Sequence, residues 1–172
     1  MIINEVNKMF KKGDLVLYSS HGICKIDDIC EKNFSNIKKD YYILHPMNDK
    51  KLSISIPVDN DKVAILELLT QEEAKVILES FKDEGIDWID IDRDRSEIYN
   101  EIIKNGNRTE IAKVANTLMK EKASLESNGK KFHEKDKKML LGIQNILFSE
   151  LAFLLNTTCE EIEQKVCGYI NY

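Results

Sequence analysis

The hydrophobic pattern of this chain changes period once. Up to about residue 66 apolar residues recur every second position, and from Thr70 onward they recur about every 3.6. "KLSISIPV" (51–58) shows the first regime: Leu52, Ile54 and Ile56 point to one side, Lys51, Ser53 and Ser55 to the other. "DLVLYSS", "GICKIDDI" and "DYYILHPM" are equally short and rich in β-branched or aromatic residues. Turn signals separate them at "SSHG" (19–22), "EKNFSN" (31–36) and "MNDKK" (47–51), and Pro57, which has no N–H, ends the last run. Four or five such strands predict a small, strongly bent antiparallel barrel of SH3 or Tudor type over residues 1–66.

The second regime opens on "TQEE", a capping box in which Thr70 caps the helix and Glu73 reaches back. Its helix carries Ala74, Val76, Ile77, Leu78 and Phe81 and should stop at Gly85. "RSEIYNEIIKNG" predicts a second helix with Ile98, Ile102 and Ile103 inward. The third, "TEIAKVANTLMKEKASLES", has Ile111, Val114, Ala115 and Leu118 at core spacing. A fourth spans about Glu134 to Leu155. A fifth follows Thr157, with "TTCE" as a capping box through Glu160. The expected fold is α+β, a barrel over 1–66 and a bundle of about five helices over 67–172.

The apolar run "MLLGIQNILFSELAFLL" (139–155) is interrupted by Gln144, Asn145, Ser149 and Glu150, which suits a buried helix better than a membrane span. "MIINEVNKMF" is too short and polar for a secretory signal, so a cytoplasmic protein is expected. Cys24, Cys30, Cys159 and Cys167 form no CxxC pair, and no second ligand pair answers His21 and Cys24. Neither GxGxxG nor GxxxxGK[ST] occurs, and His21, His45 and His133 lie in separate contexts. No nucleophile has an evident base. The expectation is a protein without catalysis, cofactor or metal.

Net charge is −5, which by itself opposes nucleic-acid binding. The distribution is uneven, however. Residues 104–138 hold ten basic and five acidic side chains. Because screening confines each charge to about 10 Å, such a segment can face phosphates within an acidic protein, or simply be a solvated surface. Trp88, the sole tryptophan, lies in "GIDWIDIDRDR" (85–95), between two helical patterns.

"MFKKGDLVLYSSHGICKIDDI" (9–29) resembles the opening of the CarD family of bacterial transcription regulators, whose first module recurs in transcription-repair coupling factors. Phe10, Gly13, Asp14, Val16, Tyr18, His21 and Gly22 carry the match. "SISIPV", "IDW", "EIIKNGNRTEIAKVANTLMKEK" and "DKKMLLGIQNILFSELAFLL" extend it in order to about residue 155, leaving the first eight residues and the last helix outside. The resemblance implies a barrel that docks on the RNA polymerase β subunit and a helical half on promoter DNA at the upstream edge of the bubble. There Trp88 would wedge into the minor groove, with Arg93, Arg95, Lys130, Lys131, Lys137 and Lys138 holding phosphates. Polymerase would meet Lys32, Lys50, Lys51, Ser53 and Ser55. Some members carry an arginine at the position of Ser55, and the joint after Trp88 is longer here than in actinobacterial members.

Three alternatives stay open. Trp88 could plug the gap between two helices with its N–H bonded to backbone, and Arg93 and Arg95 could pair with Asp90, Asp92, Asp94 or Glu97. The chain could be a protein-only adaptor. A metal- or redox-responsive regulator could use His21, Cys24 and Cys30. The leading expectation is a monomeric regulator that stabilises the open promoter complex.

Overall fold

In the computed structural model, residues 10–19, 21–34, 37–60 and 65–170 are described. The turns expected at 19–22 and 31–36 include Ser20, Ser35 and Asn36, which lie outside that set. The chain divides into two compact units, residues 1–68 and 69–172.

The first unit is one antiparallel sheet. Its strands are β1 (Leu15–Tyr18), β2 (Gly22–Phe34), β3 (Ile37–Pro46), β4 (Ile54–Pro57) and β5 (Ile65–Glu67), in the order β4-β3-β2-β1-β5. β4 and β5 are therefore edges, and the sheet does not close into the expected barrel. The edge strands are four and three residues long, and Pro57, lacking an N–H, ends β4. A register shift between Ile26 and Asp28 bends the long β2–β3 hairpin. Val16, Cys24, Ile26, Tyr42, Leu44 and Ile56 form the sheet's core, as strand alternation requires.

The motif at 10–22 has a mechanical explanation. Gly13 takes φ +95° and donates its N–H to the Ile26 carbonyl at 2.7 Å, while the Asp14 carboxylate accepts from the Lys11 N–H at 2.7 Å. Only a residue without Cβ adopts that φ without strain. His21 stacks flat on Tyr18, ring centroids 5.5 Å apart.

Among the described residues the second unit has five helices: α1 (Gln71–Glu79), α2 (Asp92–Lys104), α3 (Arg108–Ser127), α4 (Glu134–Leu154) and α5 (Cys159–Ile170). Thr70 and Glu73 make the predicted capping box, with the Glu73 N–H donating to Thr70 Oγ1 at 3.2 Å and the Thr70 N–H to Glu73 Oε2 at 2.7 Å. A single 3-10 turn, Ser80–Lys82, follows α1 before the chain reaches Gly85. α2 starts three residues earlier than expected. Its buried residues are Arg95 and Tyr99, and Ile102 and Ile103 pack against the core as expected, whereas Ile98 is 44% exposed. α5 is capped one residue late: Thr158 Oγ1 accepts from the Glu161 N–H, and Thr157 bonds the Glu161 carboxylate, leaving Glu160 out of the cap.

α4 contains a π turn at Gln144–Phe148, and its buried side includes Leu140, Ile143, Leu147, Phe148 and Leu151. Glu150, one of the polar interruptions in the sequence, is fully buried. It binds Arg108 through both oxygens, at 3.1 and 3.2 Å, and accepts the Leu69 N–H at 3.0 Å. Among the described residues no single helix is long and apolar enough to cross a membrane.

Burial pushes the Cys24 thiol up to about 11 from 9.0. Because the folded state retains this proton longer, its contribution to stability is complete below about pH 9 and falls away toward about pH 11. Thiol labelling at neutral pH should modify exposed Cys159 rapidly and Cys24 only upon unfolding; rapid native labelling of Cys24 would contradict its burial.

A tryptophan held on a braced joint

Residues 83–91 link the turn after α1 to α2 without regular structure, yet side chains fix their backbone along most of the length. Asn116 Nδ2 donates to the carbonyls of Phe81 and Asp83, both at 3.0 Å. Thr117 Oγ1 accepts the Ile86 N–H at 2.8 Å and donates to the Ile86 carbonyl at 2.7 Å. This contact explains Gly85: a Cβ there would stand 2.1 Å from Thr117 Oγ1 and 2.9 Å from the Lys113 carbonyl. Tyr99 Oη donates to the Asp87 carbonyl at 3.1 Å.

Arg95 completes the brace. Its Nη1 donates to the carbonyl of Ile89 at 2.6 Å and to that of Asp90 at 3.3 Å. Nε and Nη2 grip Asp136 of α4 at 3.1 and 2.7 Å, and Nη2 also reaches Asp92 at 2.6 Å. Arg95 is 2% exposed and Asp136 1%, so this is a buried, forked ion pair. Burial opposes the Arg95 charge, but the hydrogen bonds it donates to Asp136 and then Asp92 outweigh it and raise its pKa. Asp92 is held below the usual carboxylate range, first by its hydrogen bond from Arg95.

Trp88 lies against this guanidinium, whose carbon is 4.1 Å from the ring centroid. The indole is half-buried at the margin of the helical core. Its N–H has no hydrogen-bond partner among the described residues, contrary to the reading in which it bonds backbone. Arg95 and the joint thus fix the ring while leaving part of it to solvent.

The expected phosphate ligands separate into two groups. Arg95 does not suit that role: its donors serve Asp136, Asp92 and two carbonyls inside the protein. Arg93 is exposed on the first turn of α2 and makes no ion pair among the described residues. Lys130, Lys131, Lys137 and Lys138 are exposed around the start of α4, and Lys137 meets Glu134 only at 3.9 Å. His133, just before α4, pairs with Asp92 at 3.0 Å, bringing that segment beside the joint.

In the sheet unit Lys32 Nζ bonds Ser55 Oγ at 2.7 Å and lies 5.8 Å from the Tyr41 ring centroid. Ser55 belongs to edge strand β4, while Lys50, Lys51 and Ser53 are exposed in the turn before it. The structure thus gathers Lys32 and Ser55, with the other three next along the chain.

Asp92, His133 and Asp136 could offer a metal three ligand atoms within 4.8 Å of one another. The Arg95 cation already bonds both carboxylates, so the donor set is occupied by the protein's own charge. His21, Cys24 and Cys30 form no such group among the described residues.

Sequence reading missed Asp136, Tyr99, Asn116 and Thr117. A signal existed for the last two: "VANTLM" (114–119) sets two polar residues in a stretch buried throughout. Buried polar groups need partners, so these side chains had to serve some backbone.

An open sheet unit followed by a helical unit that braces one tryptophan at its surface defines a two-module protein with a preset aromatic contact. The family model for the CarD-like/TRCF RID domain matches residues 10–68, and that for the CarD C-terminal domain matches 67–167. "Putative transcription factor YdeB" of Bacillus subtilis (strain 168) is 30% identical over 156 residues, covering 90% of this chain and 98% of that protein. The chain belongs to the CarD family. The second match includes most of α5, so the last helix is part of the family domain, not outside it as expected.

Arg95→Ala should lower the unfolding free energy of the helical unit by about 3–5 kcal/mol, because it strands the buried Asp136 carboxylate. Arg95→Met combined with Asp136→Leu should recover most of that loss. Chemical denaturation checks both, and Arg93→Ala should stay within about 0.5 kcal/mol.

Proposed function

We propose that this protein regulates transcription initiation without catalysis, as a cytoplasmic monomer needing no metal or cofactor. It binds the RNA polymerase β subunit through the sheet unit and steadies the open promoter complex by setting Trp88 into the minor groove at the upstream edge of the bubble. Family membership supports the transcriptional role and polymerase binding in general. One observation carries the wedge: Trp88 is partly exposed, its N–H without a partner among the described residues, on a joint braced by buried side chains. A flat ring inserted at a step that is already unpairing offsets part of the few kcal/mol of unstacking.

The polymerase contact falls to edge strand β4 and its Lys32–Ser55 pair, since an open edge offers unpaired backbone groups to another chain. Arg93 and the exposed lysines at 130–138 supply phosphate contacts. A groove wedge reads width and deformability, so little base specificity is expected. By mass action the protein need favour the melted state by only about 1–2 kcal/mol, roughly five- to thirty-fold, to alter initiation.

A protein-only adaptor is the second reading, and the exposed carboxylates of Asp87, Asp90 and Asp94 around the joint favour it. Two measurements separate them. Trp88→Ala should shorten open-complex lifetime roughly five- to thirty-fold and leave co-purification with polymerase unchanged; equal lifetimes would favour the adaptor. Lys130, Lys131, Lys137 and Lys138 changed to alanine should reduce the log–log salt slope of DNA association by about 0.9 per lost phosphate contact. An unchanged slope would put that run away from DNA.

A further inference from the structure

Ile91 is the next apolar side chain on the braced joint beyond Ile89, and no structural need accounts for it. It occupies the N-cap of α2 in extended backbone, φ −79° and ψ 112°, and gives that helix no side-chain cap. Serine, threonine, aspartate or asparagine would accept a hydrogen bond from a free first-turn N–H there, and isoleucine is among the poorest choices. Nor does burial compensate, since Ile91 is 62% exposed. Exposure alone would decide nothing: Val76, mid-helix in α1, is 68% exposed. At Ile91 two local rules fail together, and such double failures gather at binding surfaces.

Its placement indicates the ligand. Ile91 follows Trp88 by three residues, a span of at most about 10 Å, or roughly three base-pair rises. Arg95 holds the chain between them through the carbonyls of Ile89 and Asp90, and its own N–H bonds the Ile91 carbonyl at 2.9 Å. Arg95 therefore fixes the backbone between the two side chains, and Tyr99 holds the Asp87 carbonyl just before Trp88. Arg93, exposed two positions on, provides a cation at the same end of α2.

We infer that Ile91 is a second wedge residue, which packs against the unstacked base step beside Trp88 in the minor groove. This rests on the function proposed above. Aliphatic side chains serve such insertions because a parted base step offers apolar faces without hydrogen-bonding demands.

The test uses the full chain with RNA polymerase holoenzyme on a promoter fragment and on the same fragment carrying a pre-melted upstream fork. Ile91→Ser should raise Tm by roughly 2–6 °C, because it restores an N-cap. The same change should shorten open-complex lifetime several-fold and reduce the preference for forked over duplex DNA. Ile91→Leu should retain both functions. A lifetime unchanged in Ile91→Ser but shortened in Trp88→Ala overturns the role of Ile91 alone. Lifetimes unchanged in both variants overturn the wedge and Ile91 with it. A lowered Tm in Ile91→Ser overturns the inference by making Ile91 a residue of the fold.

Discussion

The buried ion pair between Arg95 and Asp136 governs the helical unit's surface, because it decides what the segment before α2 can do. One guanidinium binds α4, the start of α2 and two carbonyls of the joint, and carries the indole on its face. Such a group costs several kcal/mol to desolvate, which is recovered only if each donor finds an acceptor. Here Nε, Nη1 and Nη2 all do. An apolar pair of similar shape could give equal stability, but it would leave the joint's carbonyls without a donor. The charge is better explained by what it positions than by what it stabilises.

The other buried polar residues support this view. Asn116 and Thr117 turn from α3 toward the joint, and Asp136 anchors Arg95; among the described residues Glu150, on Arg108 and the Leu69 N–H, serves another place. Fixing backbone costs on the order of 1–2 kcal/mol per residue in lost entropy. When hydrogen bonds made during folding meet that cost, a ligand need not meet it on binding. An unregular segment can thereby present side chains as sharply as a helix does.

Much of this was legible in the sequence, for reasons that can be named. The change of period separates sheet from helices because strand and helix faces repeat differently, and the Thr70–Glu73 box is local chemistry that tertiary packing left intact. Contacts distant in sequence were not legible. Arg93 and Arg95 are two positions apart in one acidic stretch, yet one is exposed and the other buried by a partner 41 residues away. Ile98 was expected inward because it is the more apolar of two neighbours. Tyr99 takes the core instead, and its hydroxyl meets the Asp87 carbonyl. Thr157 and Thr158 fit the cap equally by composition, and it is Thr158 that caps, after the chain passes Asn156 at φ 52°. The open sheet was hidden likewise, since alternation fixes which face is buried and says nothing of whether the edges meet.

Part of the acidic neighbourhood of Trp88 follows from the same constraint, while Asp87, Asp90 and Asp94 stay exposed outside it. A buried arginine requires a carboxylate beside it, which Asp136 and Asp92 supply, and both are consumed in the pairing. His133 shares Asp92 and draws the segment carrying Lys130 and Lys131 toward the joint. Arg95 cancels one of the two carboxylate charges of Asp92 and Asp136, while Lys130, Lys131 and Lys138 are exposed and make no ion pair among the described residues. At a screening length of about 10 Å, a phosphate near the indole meets those local charges and not the −5 of the whole chain. An overall acidic protein can in this way carry a surface suited to a polyanion where exposed cations locally outnumber the unpaired carboxylates.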